Sequence, residues 1–331
     1  MKIAIVRLSS LGDIVKNASV LPFIKDNLGY EITWISDSKF ADVLDYSPFL
    51  DRVIKLPIKD LKKNFNIKNV KYLISLLPKN EFDLVIDSHG FIKSALIAKY
   101  VSKGKVFGFN GFIKEKLAAL FYNKSFYFNC EDNEIYRYNK LFALSLKYSI
   151  DINDLYNIPP YLGFDPHKSY NQYDDLLNWH DVIIVIGASK GWEAKKYPIY
   201  LWENIIKNLN LNFVILWGNE TEKKEAQLLS KYNNVKIAPK MDINDLKYFL
   251  SKAKMVVGND TGPTYIAWSF GIKTIILFGC TDRNLVIENH NTIAIKSNSK
   301  VNYCKFDKND LSIKNISPKK IIENILFLKG N

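Results

Sequence analysis

The chain has 331 residues, 47% hydrophobic and 24% charged, which is typical of a globular protein and exceeds the ~100 to 200 residues of one domain, so we expect two domains. No segment reaches the ~20 consecutive apolar residues of a membrane-spanning helix, and the apolar run before Arg7 is too short for a signal peptide, which predicts a cytoplasmic protein. The formal net charge of +12 favours an anionic partner, whether nucleic acid, an anionic membrane surface or a phosphorylated ligand.

Short apolar runs alternate with helical patterns, which is typical of parallel strands joined by crossover helices. The predicted strands of the first half are KIAIV (2–6), EITWIS (31–36), RVIKL (52–56), DLVID (83–87) and KVFGF (105–109). A basic run follows the third of these strands. Between positions 55 and 71 the only acidic residue is Asp60, and a solvated helix face or an anion-binding surface both fit the lysines there, which are Lys55, Lys59, Lys62, Lys63, Lys68 and Lys71.

Residues 157–175 contain three prolines and no periodicity, which predicts a linker between two halves. The second half repeats the strand pattern with DVIIVIG (181–187), NFVILWG (212–218), VKIAP (235–239), MVVGND (255–260) and KTIILFG (273–279). We therefore expect two doubly wound α/β domains with a ligand cleft between them. An amphipathic helix at the end of the chain is predicted to pack on a core through Ile321, Ile322, Ile325, Leu326 and Leu328.

The first strand-to-helix turn, RLSSLGD at 7–13, places Asp13 directly after Gly12. Ligands of open α/β sheets bind outside the carboxyl ends of the strands, so Asp13 would face a crevice, where a carboxylate can act as a base. The alternative is that Asp13 only caps a helix beginning near Ile14.

The turn GNDTGPTYIA at 258–267 follows another buried strand, and Pro263 occupies the first turn of the predicted helix. Unpaired amides at such a helix N-terminus bind phosphate, with Thr261 and Gly262 allowing close approach. A capped turn without a ligand is the alternative.

The turn GASKGWEAKKYP at 187–198 combines small residues with Lys190, Lys195 and Lys196, which suits a pyrophosphate. A lysine there would offset the charge on a departing phosphate. The alternative is that these lysines only face solvent. Glu222 begins a helix after Trp217, where it either caps that helix or binds ribose hydroxyls.

Histidines and cysteines do not indicate a metal site. His89 ends a strand, where it contacts substrate or bonds to the backbone, and the other histidines fall in loops. The cysteines Cys130, Cys280 and Cys304 are odd in number and widely spaced, which predicts free thiols. The sequence also lacks, at the ends of its predicted strands, the phosphate-binding and nucleophile motifs of dehydrogenases, P-loop enzymes and α/β-hydrolases.

Over most of its length the sequence resembles the heptosyltransferases of lipopolysaccharide inner-core synthesis, glycosyltransferase family 9. The matching motifs are RLSSLGD (7–13), DLVIDSHGFIKSALIA (83–98), KEKLAALFYN (114–123), GAS with KKYP (187–198), LWGNETE (216–222), GNDTGPTYIA (258–267) and FGCTD (278–282). DSHGFIKSAL and LAALFYN are most similar to heptosyltransferase I, which adds the first heptose to Kdo of lipid A. The resemblance implies a GT-B fold, in which two Rossmann-like doubly wound domains face each other across a cleft. The implied divisions are an acceptor-binding domain at 1–160, a linker at 161–175, a nucleotide-sugar-binding domain at 176–317 and a helix at 318–331 that can pack back on the first domain.

The resemblance also implies an inverting transfer of L-glycero-D-manno-heptose from ADP-heptose to the Kdo region of Kdo-lipid A. The catalytic residues would be Asp13, the general base, and Lys195, on the ADP phosphates. The nucleotide-sugar site would comprise Glu222 at ribose, Met241 at adenine, Asp260 at heptose, and Ser189, Lys190, Lys196, Thr261, Gly262 and Tyr265. The acceptor site would comprise Ser9, Ser10, Gly12, Lys59, Lys62, Lys63, His89, Lys93 and Lys114. No cofactor and no metal are implied, and the enzyme would act as a monomer at the cytoplasmic face of the inner membrane of a Gram-negative bacterium.

Three departures from the family pattern leave alternatives open. Tyr265 stands where many relatives have histidine, and His89 stands where glutamine is common. The loop before KKYP differs in length, so the phosphate ligand is either Lys195 or Lys196.

Heptosyltransferase II or III, or another nucleotide-sugar transferase of this fold, is the alternative function. A basic nucleic-acid-binding protein is the alternative outside the class, although most aromatic residues fall in apolar runs and no nucleic-acid motif is present.

Overall fold

The computed structural model describes residues 1–64, 66–111, 116–189 and 191–330. The chain divides into two compact units, Met1–Gly163 and a second that begins at Phe164. Each unit contains a six-stranded sheet of parallel strands with helices between them, so the predicted α/β class is confirmed.

The first unit has the strand order β3-β2-β1-β4-β5-β6. Val6, at the end of β1, pairs with Ile35 of β2 on one side and Asp87 of β4 on the other. The order of connection reverses between β1 and β4, so the carboxyl end of β1 lies at the topological switch point, where such sheets bind ligands. The elements are β1 (Lys2–Val6), α1 (Leu11–Ala18), α2 (Leu21–Leu28), β2 (Glu31–Asp37), α3 (Ser38–Ala41), β3 (Arg52–Leu56), α4 (Ile58–Lys63), α5 (Ile67–Ser75), β4 (Leu84–Asp87), α6 (Ile92–Val101), β5 (Val106–Gly111), β6 (Lys124–Phe128) and α7 (Glu134–Leu146).

The second unit repeats this topology with the order β12-β11-β10-β7-β8-β9. Its switch point lies between β7 and β10, where Gly258 pairs with Val185. The elements are α8 (Asp174–Trp179), β7 (Val182–Val185), α9 (Ile199–Lys207), β8 (Phe213–Leu216), α10 (Glu220–Leu229), β9 (Val235–Ile237), α11 (Ile243–Ser251), β10 (Met255–Asn259), α12 (Gly262–Ser269), β11 (Lys273–Phe278), β12 (Thr292–Lys296) and α13 (Pro318–Gly330).

Helix α13 packs on the core of the second unit. Its buried residues Ile321, Ile325 and Leu328 recur at spacings of four and three and join the same apolar cluster as Trp202. Each such side chain contributes roughly 1.5–3 kcal/mol by burial. Leu326, which the sequence placed on the same stripe, is instead 51% exposed.

Sequence reasoning missed two strands, β6 and β12, each of which is one of the two edge strands of its sheet. Neither forms a continuous apolar run, because each is only partly buried. The free-thiol prediction is confirmed for Cys280, which is buried, and is wrong for Cys130 and Cys304, which are disulfide-bonded. Within the described ranges, no helix is both long and apolar enough to cross a membrane.

Candidate functional site

Asp13 lies in the first turn of α1, directly after the carboxyl end of β1. Ser10 is the N-cap, and its backbone N and Oγ donate to Asp13 Oδ2 at 3.1 and 2.8 Å. Both bonds run from Ser10 to the Asp13 carboxylate and hold the start of α1, which is Leu11, so the predicted helix start near Ile14 is wrong. The Asp13 side chain stays 29% exposed, so the cap does not prevent this carboxylate from meeting a ligand.

Two buried cations flank this carboxylate. Arg7 Nη2 lies 3.4 Å from Asp13 Oδ2, and Lys16 Nζ lies 3.6 Å from Oδ1. The side chains of Arg7 and Lys16 are only 10% and 4% exposed. Sequence reasoning missed both residues, although the spacing of Lys16 three positions after Asp13 on a helix is a visible signal.

Helix α7 supplies the side chains that contact Lys16 and Arg7. Lys16 Nζ donates to Glu134 Oε2, and Tyr138 Oη donates to Glu134 Oε1 at 2.6 Å. The Arg7 guanidinium lies over the Tyr138 ring, 5.3 Å from its centre. Burial alone would lower the pKa of Arg7, but Tyr138 and the surrounding carboxylates raise it above its usual value.

The turn after β4 is organised by a buried carboxylate, Asp87. It accepts hydrogen bonds from Ser94 Oγ and Tyr122 Oη at 2.8 Å each, and from the amides of His89 and Gly90 at 2.9 and 3.3 Å. Burial raises the pKa of Asp87 above its usual value even though these donors favour the ionised form. Sequence reasoning quoted its motif but did not select this residue.

The sequence left two interpretations of His89, a contact with substrate or a hydrogen bond with the backbone. The structure shows the hydrogen bond with the backbone. The amide of Leu8 donates to His89 Nδ1 at 3.0 Å, and the ring packs against Phe91 at a centroid distance of 4.7 Å. Nδ1 is therefore an acceptor, which leaves the proton of the neutral ring on Nε2.

Lys59 of the basic run lies over the ring of Phe40, as does Lys39. Lys59 Nζ lies 3.9 Å from the centre of that ring, and burial together with the charges of Lys39, Lys93 and Lys63 lowers the pKa of Lys59. The lowered pKa of Lys59 marks a local surplus of positive charge, which an anion would relieve. Lys55 differs, because its Nζ pairs with Asp42 and Asp45 at 2.7 and 2.5 Å. The side chain of Lys62 and the whole of Lys114 lie outside the described residues.

In the second unit, Asp260 is the centre of a buried polar cluster at the end of β10. Lys195 Nζ lies 2.6 Å from Asp260 Oδ2, Thr281 Oγ1 donates to the same oxygen at 2.8 Å, and Tyr265 Oη donates to Oδ1 at 2.6 Å. Asp260 is 3% exposed and Tyr265 1%. Tyr265, which stands where histidine is common, therefore donates its hydrogen bond to Asp260 from inside the core.

The two candidate lysines of the KKYP motif point to different partners. Lys195 reaches Asp260, whereas Lys196 Nζ pairs with Glu225 of α10 at 2.6 Å. Lys195 is thus the lysine that the fold brings to the Asp-Thr-Gly turn. Lys190 lies outside the described residues, and Ser189 O accepts from the Trp192 amide at 2.9 Å in the turn after β7.

The N-terminus of α12 begins at Gly262, with Thr261 as N-cap, and the Thr261 side chain makes no capping hydrogen bond. Asn259 ties this end of β10 to the end of β7. Its Nδ2 donates to the carbonyls of Ile186 and Gly187 at 2.9 and 3.1 Å. The Asp-Thr-Gly turn and the Gly-Ala-Ser turn are therefore held side by side.

The Glu222 carboxylate lies beside Gly187, the first residue of the Gly-Ala-Ser turn. Its Oε2 accepts from the Gly218 amide at 2.6 Å, and a Cβ added at Gly187 would lie 2.7 Å from that oxygen. Asn219 is the N-cap of α10, so Glu222 is not the capping residue that sequence reasoning considered. Met241 is half-buried just before α11.

Comparisons with known proteins identify the family of this chain. The sequence profile described as glycosyltransferase family 9 (heptosyltransferase) matches residues 70–314. The protein belongs to glycosyltransferase family 9. It is therefore a glycosyltransferase, which confirms the predicted family and enzyme class.

Relatives of this glycosyltransferase match most or all of its length. It is 32% identical to lipopolysaccharide heptosyltransferase 1 of Campylobacter coli, with 100% of each chain covered, and 25% identical to lipopolysaccharide heptosyltransferase 1 of Escherichia coli K12, covering 86% of this chain and 90% of the relative.

Solved structures confirm the fold. The Escherichia coli heptosyltransferase WaaC with ADP superposes with a TM-score of 0.76 at 23% identity, covering 98% of this chain and 100% of that one. A family 9 glycosyltransferase of Veillonella parvula gives 0.79 at 17% identity, with 100% and 98% covered. The predicted GT-B class, with two Rossmann-like units, is thereby confirmed.

Proposed function

We propose that this glycosyltransferase transfers L-glycero-D-manno-heptose from ADP-heptose to the Kdo region of Kdo-lipid A, with inversion at the anomeric carbon. The observation that carries the proposal is the Asp13 carboxylate, which is partly exposed at a topological switch point between two buried cations. The full-length relative named lipopolysaccharide heptosyltransferase 1 supports the reaction class. A solved structure of the same fold holds ADP-2-deoxy-2-fluoro heptose, which has the chemistry of the proposed donor.

Asp13 acts as the general base in this proposal. It takes the proton of the Kdo hydroxyl while that oxygen attacks the anomeric carbon of heptose, and the bond from that carbon to ADP breaks in the same displacement. ADP leaves with the bonding electron pair. A single displacement of this kind inverts the configuration of the anomeric carbon, and it requires one carboxylate base. Arg7 and Lys16 favour the ionised carboxylate, so Asp13 requires positioning more than activation.

The second unit would hold the donor. Amides at the start of α12, at Thr261 and Gly262, would bind the diphosphate, and Lys195 would neutralise the charge that develops on it. Glu222 would bind ribose, Met241 would lie against adenine, and Asp260 would bind heptose. Ser189, Lys190 and Lys196 would line the same site, and Tyr265 would act through Asp260. The proposed chemistry uses Lys195 rather than a metal, and transfer that persists in EDTA tests this.

The first unit would hold the acceptor. The cations of Lys59, Lys63 and Lys93 would bind the Kdo carboxylates and the lipid A phosphates, with Lys62 and Lys114 of the same basic region. Ser9, Ser10, Gly12 and His89 would lie around the attacking hydroxyl.

Helix α5 would contact the membrane that carries the lipid acceptor. Its outer side exposes Ile67 (73%) and Ile74 (41%), which lie on one helix face, and residues 61–80 contain five lysines and no acidic residue. An exposed apolar stripe within a basic segment suits the surface of an anionic bilayer. The enzyme would thus act as a peripheral monomer at the cytoplasmic face of the inner membrane of a Gram-negative bacterium.

Mass-resolved transfer tests the proposed function. Purified protein is incubated with ADP-heptose and either Kdo-lipid A or the same acceptor already carrying one heptose, and ADP release and the added mass are recorded. One heptose added to Kdo-lipid A is the expected result. Transfer only to the heptosylated acceptor would favour the heptosyltransferase II alternative, and competition by UDP or GDP stronger than by ADP would overturn the donor.

A further inference from the structure

Asp13 and four side chains near it close into a ring of contacts. Asp13 pairs with Lys16, Lys16 with Glu134, and Glu134 with Tyr138. The Tyr138 ring lies beneath Arg7, and Arg7 pairs with Asp13, which closes the ring. The members come from three places in the fold: the end of β1, the first turns of α1 and the first turn of α7. We call these five residues the Asp13 ring.

The Asp13 ring is electrically balanced and mostly buried. Its two cations, Arg7 and Lys16, match its two carboxylates, Asp13 and Glu134, so its formal charge is zero. Lys16 and Tyr138 are each 3% exposed, and the Glu134 side chain is 13% exposed. Low solvent access strengthens every charge interaction in such a network, so removal of one member acts on the others.

We propose that Lys16 and Glu134 are positioning residues that hold the Asp13 carboxylate oriented and ionised for proton abstraction, a proposal that rests on the proposed role of Asp13 as base. Neither residue needs to touch substrate. Lys16 holds Oδ1 of Asp13, while Glu134 holds the Lys16 ammonium and offsets its charge. When Asp13 accepts the proton of the attacking hydroxyl, Glu134 remains ionised and offsets one of the two cations, Lys16, with which it pairs.

The two residues have opposite effects on the proton affinity of Asp13. A nearby cation favours the ionised carboxylate, so loss of the Lys16 charge raises the pKa of Asp13. A nearby anion disfavours it, so loss of the Glu134 charge lowers that pKa. Other groups around the Asp13 ring, such as Ser10 of the N-cap, Asp87 of β4 and the Ser88 carbonyl that accepts from Arg7 Nη1 at 2.6 Å, are the same in every variant.

The test is the pH dependence of kcat/KM for heptose transfer in Lys16→Met, Glu134→Gln and the double variant. We expect the midpoint of the acid limb to rise by about 1 pH unit in Lys16→Met and to fall by about 1 in Glu134→Gln. The double variant, in which one cation and one anion are removed together, is expected to return close to the wild type. Midpoints that do not move, or that move in the same direction in both single variants, would overturn the proposal.

Two controls separate this effect from helix packing. Ser19→Ala removes the hydrogen bond that Asn139 Nδ2 donates to Ser19 Oγ at 3.1 Å, which joins α7 to α1 outside the Asp13 ring. We expect it to leave the acid limb in place, and a shift like that of Lys16→Met would overturn the proposal. Lys16→Arg keeps the cation and is expected to keep the wild-type midpoint. Glu134→Gln preserves size and an acceptor for Tyr138, so it carries the test if Lys16→Met fails to fold.

Wild type and Asp13→Asn in the same assay distinguish the two claims. No transfer by wild type, or full transfer by Asp13→Asn, would overturn the proposed function or the base. Transfer by wild type and its loss in Asp13→Asn, with unmoved midpoints in the other variants, would overturn only the positioning role.

Discussion

Lys195 Nζ lies 2.6 Å from Asp260 Oδ2, in a cluster where Asp260 is almost fully buried. The pair joins a lysine of the turn after β7 to the carboxylate at the end of β10. A diphosphate at the N-terminus of α12 would compete with Asp260 for the same ammonium group. The carboxylate would stay in place during that exchange, because Tyr265 and Thr281 continue to donate to it.

This geometry predicts unequal effects for the two neighbouring lysines. Lys195→Gln should lower kcat for transfer by roughly 100-fold or more, since removal of one preorganised charge donor has that order of effect. Lys196→Gln is the matched control, because Lys196 pairs with Glu225 instead, and its kcat should change only a few-fold. Steady-state rates of ADP release measure both, and equal losses in the two variants would contradict the assignment of Lys195.

The contact between Gly187 and Glu222 predicts a steric effect on donor binding. Gly187→Ala would place a Cβ 2.7 Å from Glu222 Oε2, so that carboxylate must move, and ADP affinity should fall about 10-fold by loss of one hydrogen bond. Gly218→Ala is the control, because its Cβ would lie 3.2 Å from the same oxygen. Isothermal titration with ADP compares them. An affinity that falls no further in Gly187→Ala than in Gly218→Ala would count against Glu222 as a ribose ligand.

His180 predicts a pH dependence of stability. It is fully buried, its Nε2 accepts from the Lys254 amide at 3.1 Å, and burial lowers its pKa below the usual value. The unfolded state therefore binds the proton more readily, so the stability from neutral His180 is present above pH ~6.5 and is lost as pH falls through the folded pKa. Urea unfolding of wild type should show a loss of up to ~1.4 kcal/mol per pH unit in that range. His180→Gln should show a shallower slope, and an unchanged slope would contradict the account.

Helix α5 predicts a specific membrane contact. Ile67→Ser with Ile74→Ser should reduce co-sedimentation with vesicles containing phosphatidylglycerol several-fold, because two exposed apolar side chains are removed from a basic surface. Leu228→Ser on α10 is the control, since Leu228 is also exposed (62%) but lies in the second unit. Equal binding by all three proteins, or binding independent of phosphatidylglycerol, would rule out this surface.

The sequence predicted most of the fold because central parallel strands are continuous apolar runs. KIAIV coincides with the central strand β1, residue for residue, and RVIKL coincides with the edge strand β3. The strands β6 and β12 escaped detection because both are partly exposed and neither is a continuous apolar run. The same limit applies to the site. Asp13 and Lys195 stand out by their position after strands, but Glu134 is 118 residues from Lys16, and only the packing of α7 on α1 brings them together.

Tyr265 shows why the resemblance did not settle every role. The family pattern placed it in the nucleotide-sugar site, where relatives carry histidine. In the structure its hydroxyl reaches Asp260 from the buried side of α12. Burial is a property of the packed helix, so sequence position alone could not assign it.

The most direct test of the central claim compares Asp13→Asn with wild type for heptose transfer and for ADP affinity. Asn keeps the size of the side chain and an oxygen that can accept from Ser10, so the start of α1 is preserved. We expect transfer to fall at least ~100-fold, as loss of a general base does, with ADP affinity nearly unchanged. Transfer at the wild-type rate, or parallel loss of transfer and ADP affinity, would contradict the role of Asp13 as base.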